Sequence, residues 1–183
     1  MSSEDIHDVT LSLNHASEGD TNRYGDRNAL LETRRKAQVC YKNGITAPRT
    51  SALRLRRNAE LAIDHSEILG RNIKAATGKE RHLEADSHHI VARLARRADG
   101  SRKILFKSNI GINDADNGMY LRRTWDSRVP GQKRATAHQN LHSPNYHDAV
   151  LLELSLAFRA GTHTVRPTLQ NIKSKILADT FDY

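Results

Sequence analysis

The chain has one cysteine, Cys40, in 183 residues, which excludes an internal disulfide framework and a cysteine-rich zinc module. A metal site would have to use His, Asp, Glu or Asn. Aromatic residues make up only 5% and the mean hydropathy is -0.69, so a core must be built from Leu, Ile, Val and Ala beneath a strongly charged surface. No apolar run approaches the roughly 20 residues that span a bilayer. The opening Met1-Ser2-Ser3-Glu4-Asp5-Ile6-His7-Asp8 lacks the basic-then-apolar order of a secretory signal. The expectation is a soluble chain made without a signal peptide and without membrane insertion.

Charge is present in excess and unevenly spread. The net formal charge is +8. Residues 1–34 nevertheless hold seven acids (Glu4, Asp5, Asp8, Glu18, Asp20, Asp26, Glu32) against three bases (Arg23, Arg27, Arg34). The remaining residues therefore carry the positive excess, as expected of a surface that displaces counterions from a polyanion. Residues 1–34 are polar and lack an apolar period, and read as a mobile or loosely packed extension. The expected organisation is a polar extension or linker over 1–50 and one domain over 51–183.

Within that domain Leu55, Ala59, Ala62 and Ile63 recur at helical spacing, and a second helix runs from about Ser66 through Ile73 to a closing Gly78. Ala85 to Val91 suits a strand. Ser101 is placed to cap a short helix ended by Gly111. Asn117-Gly118 reads as a turn opening a second strand over Met119-Tyr120-Leu121, which could pair with the first while the short helix loops out between them. Arg122 to Ala137 is basic and irregular. Ser143-Pro144 starts a helix that buries Tyr146, Val150, Leu151, Leu154 and Phe158 and ends at Gly161. A last helix near Pro167 places Leu169, Ile172 and Ile176 on one face.

The chemistry-bearing residues lie along this frame in order. His88-His89 ends the first strand, Asn117-Gly118 opens the second, and His138 and His142 precede the capped helix. An adjacent histidine pair alone is a weak motif in a chain with ten histidines. Strand end, strand start and helix start form a ββα unit, however, and such a unit could set His88 beside His142 and His138. One imidazole could then hold a metal while its neighbour stays free to take a proton, the two provisions that phosphodiester hydrolysis needs.

Three blocks in order carry a family resemblance: Asp86-Ser-His-His-Ile-Val91, the run from Lys107 through Asn113-Asp-Ala-Asp-Asn-Gly118 to Leu121, and His138-Gln-Asn-Leu-His142-Ser-Pro-Asn-Tyr146. Over about residues 66–160 the chain resembles the AHH branch of the HNH nucleases, which are His-Me finger, ββα-metal enzymes often found as C-terminal domains of bacterial polymorphic toxins. Ser87 stands where that branch usually has alanine. The resemblance implies a mostly helical α+β fold with a small ββα-metal core flanked by N-terminal and C-terminal helices.

The same resemblance implies that His89 is the general base and His88 a metal ligand, with His142 the second histidine ligand. Asn117 would hold the base loop or touch the metal, and His138 is either a third ligand or a phosphate or solvent contact. Asp86 is placed either to accept a hydrogen bond from a site histidine or to serve as a cap or surface charge. The metal is a divalent ion, with Mg, Mn, Zn and Ni all open; His and Asn ligation favours the borderline transition metals. Arg93, Arg96, Arg97, Arg102, Lys103, Lys107, Arg122 and Arg123 are candidate nucleic-acid contacts, positioning a phosphate backbone without reading bases.

DNA is the expected substrate, RNA the lesser candidate. For a toxin of this kind the resemblance further implies an acidic cognate immunity protein and a carrier or delivery protein. It implies manufacture in the bacterial cytoplasm and export by a specialised secretion system into a target-cell cytoplasm. Two other readings are compatible with these residues: a DNA-binding module with a structural metal, and an RNA-cleaving toxin that uses no metal.

Overall fold

The computed structural model describes residues 21–183, with side chains from Arg27 onward. The chain divides into one unit ending at Ala37 and a second over Gln38–Tyr183. In the first unit α1 spans Thr21–Ala37. It lacks an apolar stripe, which is why the sequence pattern pointed to a loose extension; local pairing organises it instead. Glu32 bridges Lys36 at 3.2 Å and Arg35 at 3.7 Å, and Arg34, Arg35 and Lys36 sit at the helix C-terminus where the peptide dipole favours cations. The part of the expected extension before Thr21 lies outside the described residues.

The second unit begins at Gln38, so residues 38–50 stand with the core and not with the extension expected to reach residue 50. The reason is a hairpin, β1 (Tyr41–Lys42) paired with β2 (Ile45–Thr46), which turns through Asn43 and Gly44 at positive φ. A Cβ on Gly44 would meet the Asn72 carbonyl oxygen at 2.0 Å, so only glycine lets this turn pack. Thr46 donates from both its amide (2.8 Å) and its hydroxyl (2.6 Å) to the fully buried Asp114 carboxylate. Arg166 of the last helix contacts the same carboxylate at 2.9 Å, giving the buried charge the partner it requires.

Helix α2 (Ala52–Glu60) starts at the Ser51 cap, and α3 (His65–Thr77) starts at Asp64 and closes on Gly78 in the left-handed conformation, as its sequence signals predict. Strands β3 (Ala85–His89) and β4 (Gly118–Arg122) pair antiparallel, with His88 opposite Met119 and His89 opposite Gly118. Between them α4 (Asp99–Lys107) loops out as expected, but it begins earlier than Ser101. Ser101 is buried inside the helix, and the chain leaves it through Ser108 and a left-handed Asn109, not through Gly111.

Asn117-Gly118 stands where a turn gives way to the second strand, as expected. Asp114 caps a single 3₁₀ turn over Ala115–Asn117, and Gly118 opens β4 with extended φ. Its need for glycine is space: a Cβ there would lie 2.4 Å from Leu69 Cδ1 of α3. Helix α5 (Pro144–Ala160) is capped by Ser143, and α6 runs Val165–Ala178, two residues earlier than Pro167 suggests. Pro167 is tolerated there because first-turn amides have no intrahelical acceptor. Leu151, expected inside, is only partly buried, whereas Tyr146, Val150 and Leu154 are in the core.

Helix α3 lies on the β3–β4 sheet, and α4, α5 and α6 pack in sequence around Leu55, Leu105, Ile112, Leu121, Leu141, Leu154, Leu169 and Ile172. Each such side chain contributes about 1.5–3 kcal/mol on leaving water. The architecture is α+β and mostly helical, with six α-helices and two small antiparallel sheets among the described residues. No helix among those residues is long and apolar enough to cross a membrane.

Candidate active site

Successive residues of a strand point to opposite faces, so β3 necessarily sends His88 and His89 different ways. His88 is buried, 2% exposed, and turns toward α5. His138 comes from a 3₁₀ turn (His138–Asn140), and His142 immediately precedes the Ser143 cap. That loop is pinned from behind: the Thr136 amide donates to Ile176 O at 3.0 Å and its hydroxyl to Asp179 Oδ1 at 2.6 Å. The ring centroid of His88 lies 4.9 Å from that of His138 and 5.7 Å from that of His142. One ring nitrogen from each of the three lies within 4.8 Å of the others, close enough to bind a single metal ion.

Hydrogen bonds decide which nitrogens are available. The Tyr146 hydroxyl donates to the Ile90 carbonyl at 2.9 Å, so its oxygen can accept from His88 Nε2 at 3.3 Å. His88 Nδ1 is then the lone-pair nitrogen, and it is buried without a protein partner. His138 Nδ1 donates to Asp86 Oδ2 at 3.2 Å, which leaves its Nε2 bare. That Nε2 faces His142 Nε2 at 3.1 Å. Two nitrogens that share a metal at about 2.1 Å stand roughly 3.0–3.4 Å apart, so this pair and the orphaned His88 nitrogen fit a divalent cation. An all-imidazole set suits a borderline transition metal better than magnesium.

Burial holds His88 well below the ordinary histidine range, with the neighbouring imidazoles adding to the effect, and burial also lowers His142. Both are therefore neutral and able to ligate near pH 7. Asp86 stays below the usual carboxylate range: burial opposes ionisation, but hydrogen bonds from Arg123 and His138 outweigh it.

His89 occupies the other face. Its Nε2 lies 3.1 Å from Asn113 Oδ1. Burial pushes it down to about 4, only partly offset by the Asn113 hydrogen bond, so it is a neutral imidazole able to accept a proton. Asn117 is fully buried beneath the exit of β3. Its Oδ1 accepts from the Val91 amide at 2.9 Å and its Nδ2 donates to Ile112 O at 2.8 Å. Both ends of the amide are thus spent on backbone, and Asn117 ties the chain just after His89 to the segment at Ile112.

The candidate phosphate contacts divide. Arg96, Arg97, Lys103 and Lys107 are exposed, although Arg97 pairs with Asp148 and Lys103 with Asp99, each at 2.8 Å. Arg93 is half-buried and donates to Ala59 O at 3.1 Å. Arg123 is tied to Asp86 at 2.8 Å. Arg102 and Arg122 do not belong with the free cations. Arg102 braces the loop before α4 by donating to Ala92 O and Ala95 O at 3.0 and 2.8 Å. Arg122 is buried, with its guanidinium 4.4 Å from the Trp125 ring.

Asn113 and His65, absent from the sequence-based set, join the site through tertiary contact. Tyr146 was legible only as a core residue. Among the other histidines His147 is buried beside Tyr146, while His82 and His163 are exposed.

Comparison with protein families matches residues 69–176 to AHH, described as a nuclease family of the HNH/ENDO VII superfamily with conserved AHH. Neither the curated proteins nor the solved structures contain a match. The matched span takes in both strands, the three converging histidines and His89, with Ser87-His88-His89 at the signature position. With its metal-competent histidine cluster beside a neutral imidazole, this chain belongs to the AHH nucleases of the HNH/ENDO VII superfamily and is a metal-dependent endonuclease that hydrolyses phosphodiester bonds.

Proposed function

We propose that the chain cuts DNA with little sequence preference and acts as an interbacterial effector toxin, with His89 as the base and His88, His138 and His142 as metal ligands. The observation that carries the site assignment is the split of adjacent histidines between two faces, one toward a three-imidazole cluster, the other ending in a free ring nitrogen. With its Nε2 proton given to Asn113, His89 takes the proton of the attacking water on Nδ1 as the water oxygen bonds to phosphorus. The opposite P–O bond breaks, and the departing oxygen is protonated from solvent. A cation held by the three imidazoles would neutralise charge developing on the phosphate oxygens. Arg96, in the turn before α4, and Lys107, at its C-terminus, are exposed and would hold the backbone without reading sequence, which supports broad cleavage.

The toxin role, an acidic immunity protein, a carrier and export by a specialised secretion system rest on the frequent use of this family in polymorphic toxins. The basic balance of residues beyond 34 supports an acidic partner. A plasmid-nicking assay of the wild type and His89→Ala, with circular dichroism and elemental analysis, tests the reading. The variant is expected to fold, to keep its metal and to lose cleavage, whereas His88→Ala loses the metal itself. A fully active His89→Ala would overturn the base assignment. Cleavage of RNA that persists in chelator would instead favour a metal-independent ribonuclease.

A further inference from the structure

We infer that Asn113 and His65 are positioning residues for catalysis: together they hold His89 in the form whose Nδ1 faces the water. This rests on the reading of His89 as the base. The inference follows from a directed chain of hydrogen bonds that begins at a backbone carbonyl. Leu61 O lies 3.0 Å from His65 Nε2, and a carbonyl oxygen only accepts, so Nε2 carries the His65 proton. His65 Nδ1 is then a bare acceptor. Both amide atoms of Asn113 lie near it, Nδ2 at 3.0 Å and Oδ1 at 3.2 Å, and of the two only Nδ2 has a hydrogen that a bare Nδ1 can receive, which fixes which way the amide points.

Asn113 Oδ1 is thereby aimed at His89 Nε2, 3.1 Å away. An amide oxygen also only accepts, so His89 carries its proton on Nε2 and its lone pair on Nδ1. The direction of the chain is set at its start: with the neutral His65 proton on Nε2 for Leu61 O, the two later links follow in one sense. Asn113 is 1% exposed and His65 is 4% exposed, so water does not compete for these bonds. The backbone of Asn113 is anchored separately, its carbonyl accepting from Asn72 Nδ2 at 2.7 Å.

Imidazole NMR of the zinc-loaded wild type reads the first link without any variant. His89 is expected as the Nε2–H tautomer with a slowly exchanging ring proton. A dominant Nδ1–H tautomer, or a ring proton exchanging as fast as that of exposed His82, would overturn the inference. The second test compares Asn113→Leu with Asn113→Asp on whichever of plasmid DNA or structured RNA the wild type cleaves. Asn113→Leu should lower kcat by about 10- to 100-fold with KM and metal content unchanged, and Asn113→Asp, which still offers His89 an acceptor, should recover most of it. A folded, metal-loaded Asn113→Leu with wild-type kcat sinks the positioning role while leaving His89 as base. An active His89→Ala sinks the underlying reading instead.

Discussion

Asp86 Oδ2 and His138 Nδ1 lie 3.2 Å apart, and the other oxygen of the same carboxylate is held by Arg123 at 2.8 Å. The pair fixes the His138 ring and directs its bare Nε2 toward His142. Such a carboxylate raises the basicity of a ligating imidazole without touching the metal. Asp86→Ala is therefore expected to weaken metal affinity by about 10- to 100-fold while leaving the fold intact. Metal titration followed by competition with a chelator measures it. Unchanged affinity would show that His138 contributes nothing to ligation.

Acid should act on the rate below the normal histidine range. His89 is lowered to about 4, chiefly by burial, and with His89 as the proposed base its neutral form is the one that takes the proton. The single-turnover rate at saturating metal is thus expected to hold as pH falls past 6.5 and to decline only nearer 4. A nearby cation would shift the midpoint in the same direction. An acid limb centred at or above 6.5 would contradict this environment for His89.

Arg96 and Arg102 should separate in opposite ways. Arg96 is exposed and makes no ion pair among the described residues, so Arg96→Ala should weaken substrate binding and flatten its salt dependence at unchanged stability. Arg102 satisfies two loop carbonyls, and Arg102→Ala should cost about 1–3 kcal/mol of stability. Denaturant melts paired with binding isotherms at two salt concentrations resolve the two effects.

Gly118 tests the support under the strands. Gly118→Ala drives a methyl group into Leu69 of α3 and is expected to destabilise the fold by about 1–3 kcal/mol. Combining it with Leu69→Ala should give less than the sum of the two losses, because each change relieves the other. Strict additivity would show that the two residues do not press on each other.

The parts of the site legible in the sequence were those carried by local rules. Strand alternation separates His88 from His89, the Ser143-Pro144 cap places His142, and Gly78 ends α3. Asn113 and His65 were not singled out because their contacts bridge 24 and 48 residues; from the Asn113–Gly118 run, read as a block of the family resemblance, only Asn117 was given a role. Arg102 and Arg122 looked like free cations because composition counts charge and not its partners. The helix at Thr21–Ala37 has no apolar period to announce it. The hairpin at Tyr41–Thr46 joins the core through Asp114, a partner 68 residues away from Thr46.

Tyr146 sets a dimension of the site that none of the three converging histidines sets. Its single hydroxyl touches both His88 and the Ile90 carbonyl, so it works as a strut of fixed length between the first turn of α5 and the end of β3. The width of the opening between His88 and His142 is thereby gauged from inside the core. If the three histidines hold the cation as proposed, the radius that fits would be governed in part by a residue that never meets it, and selection for a different metal would proceed through the helix seat while every histidine stays in place.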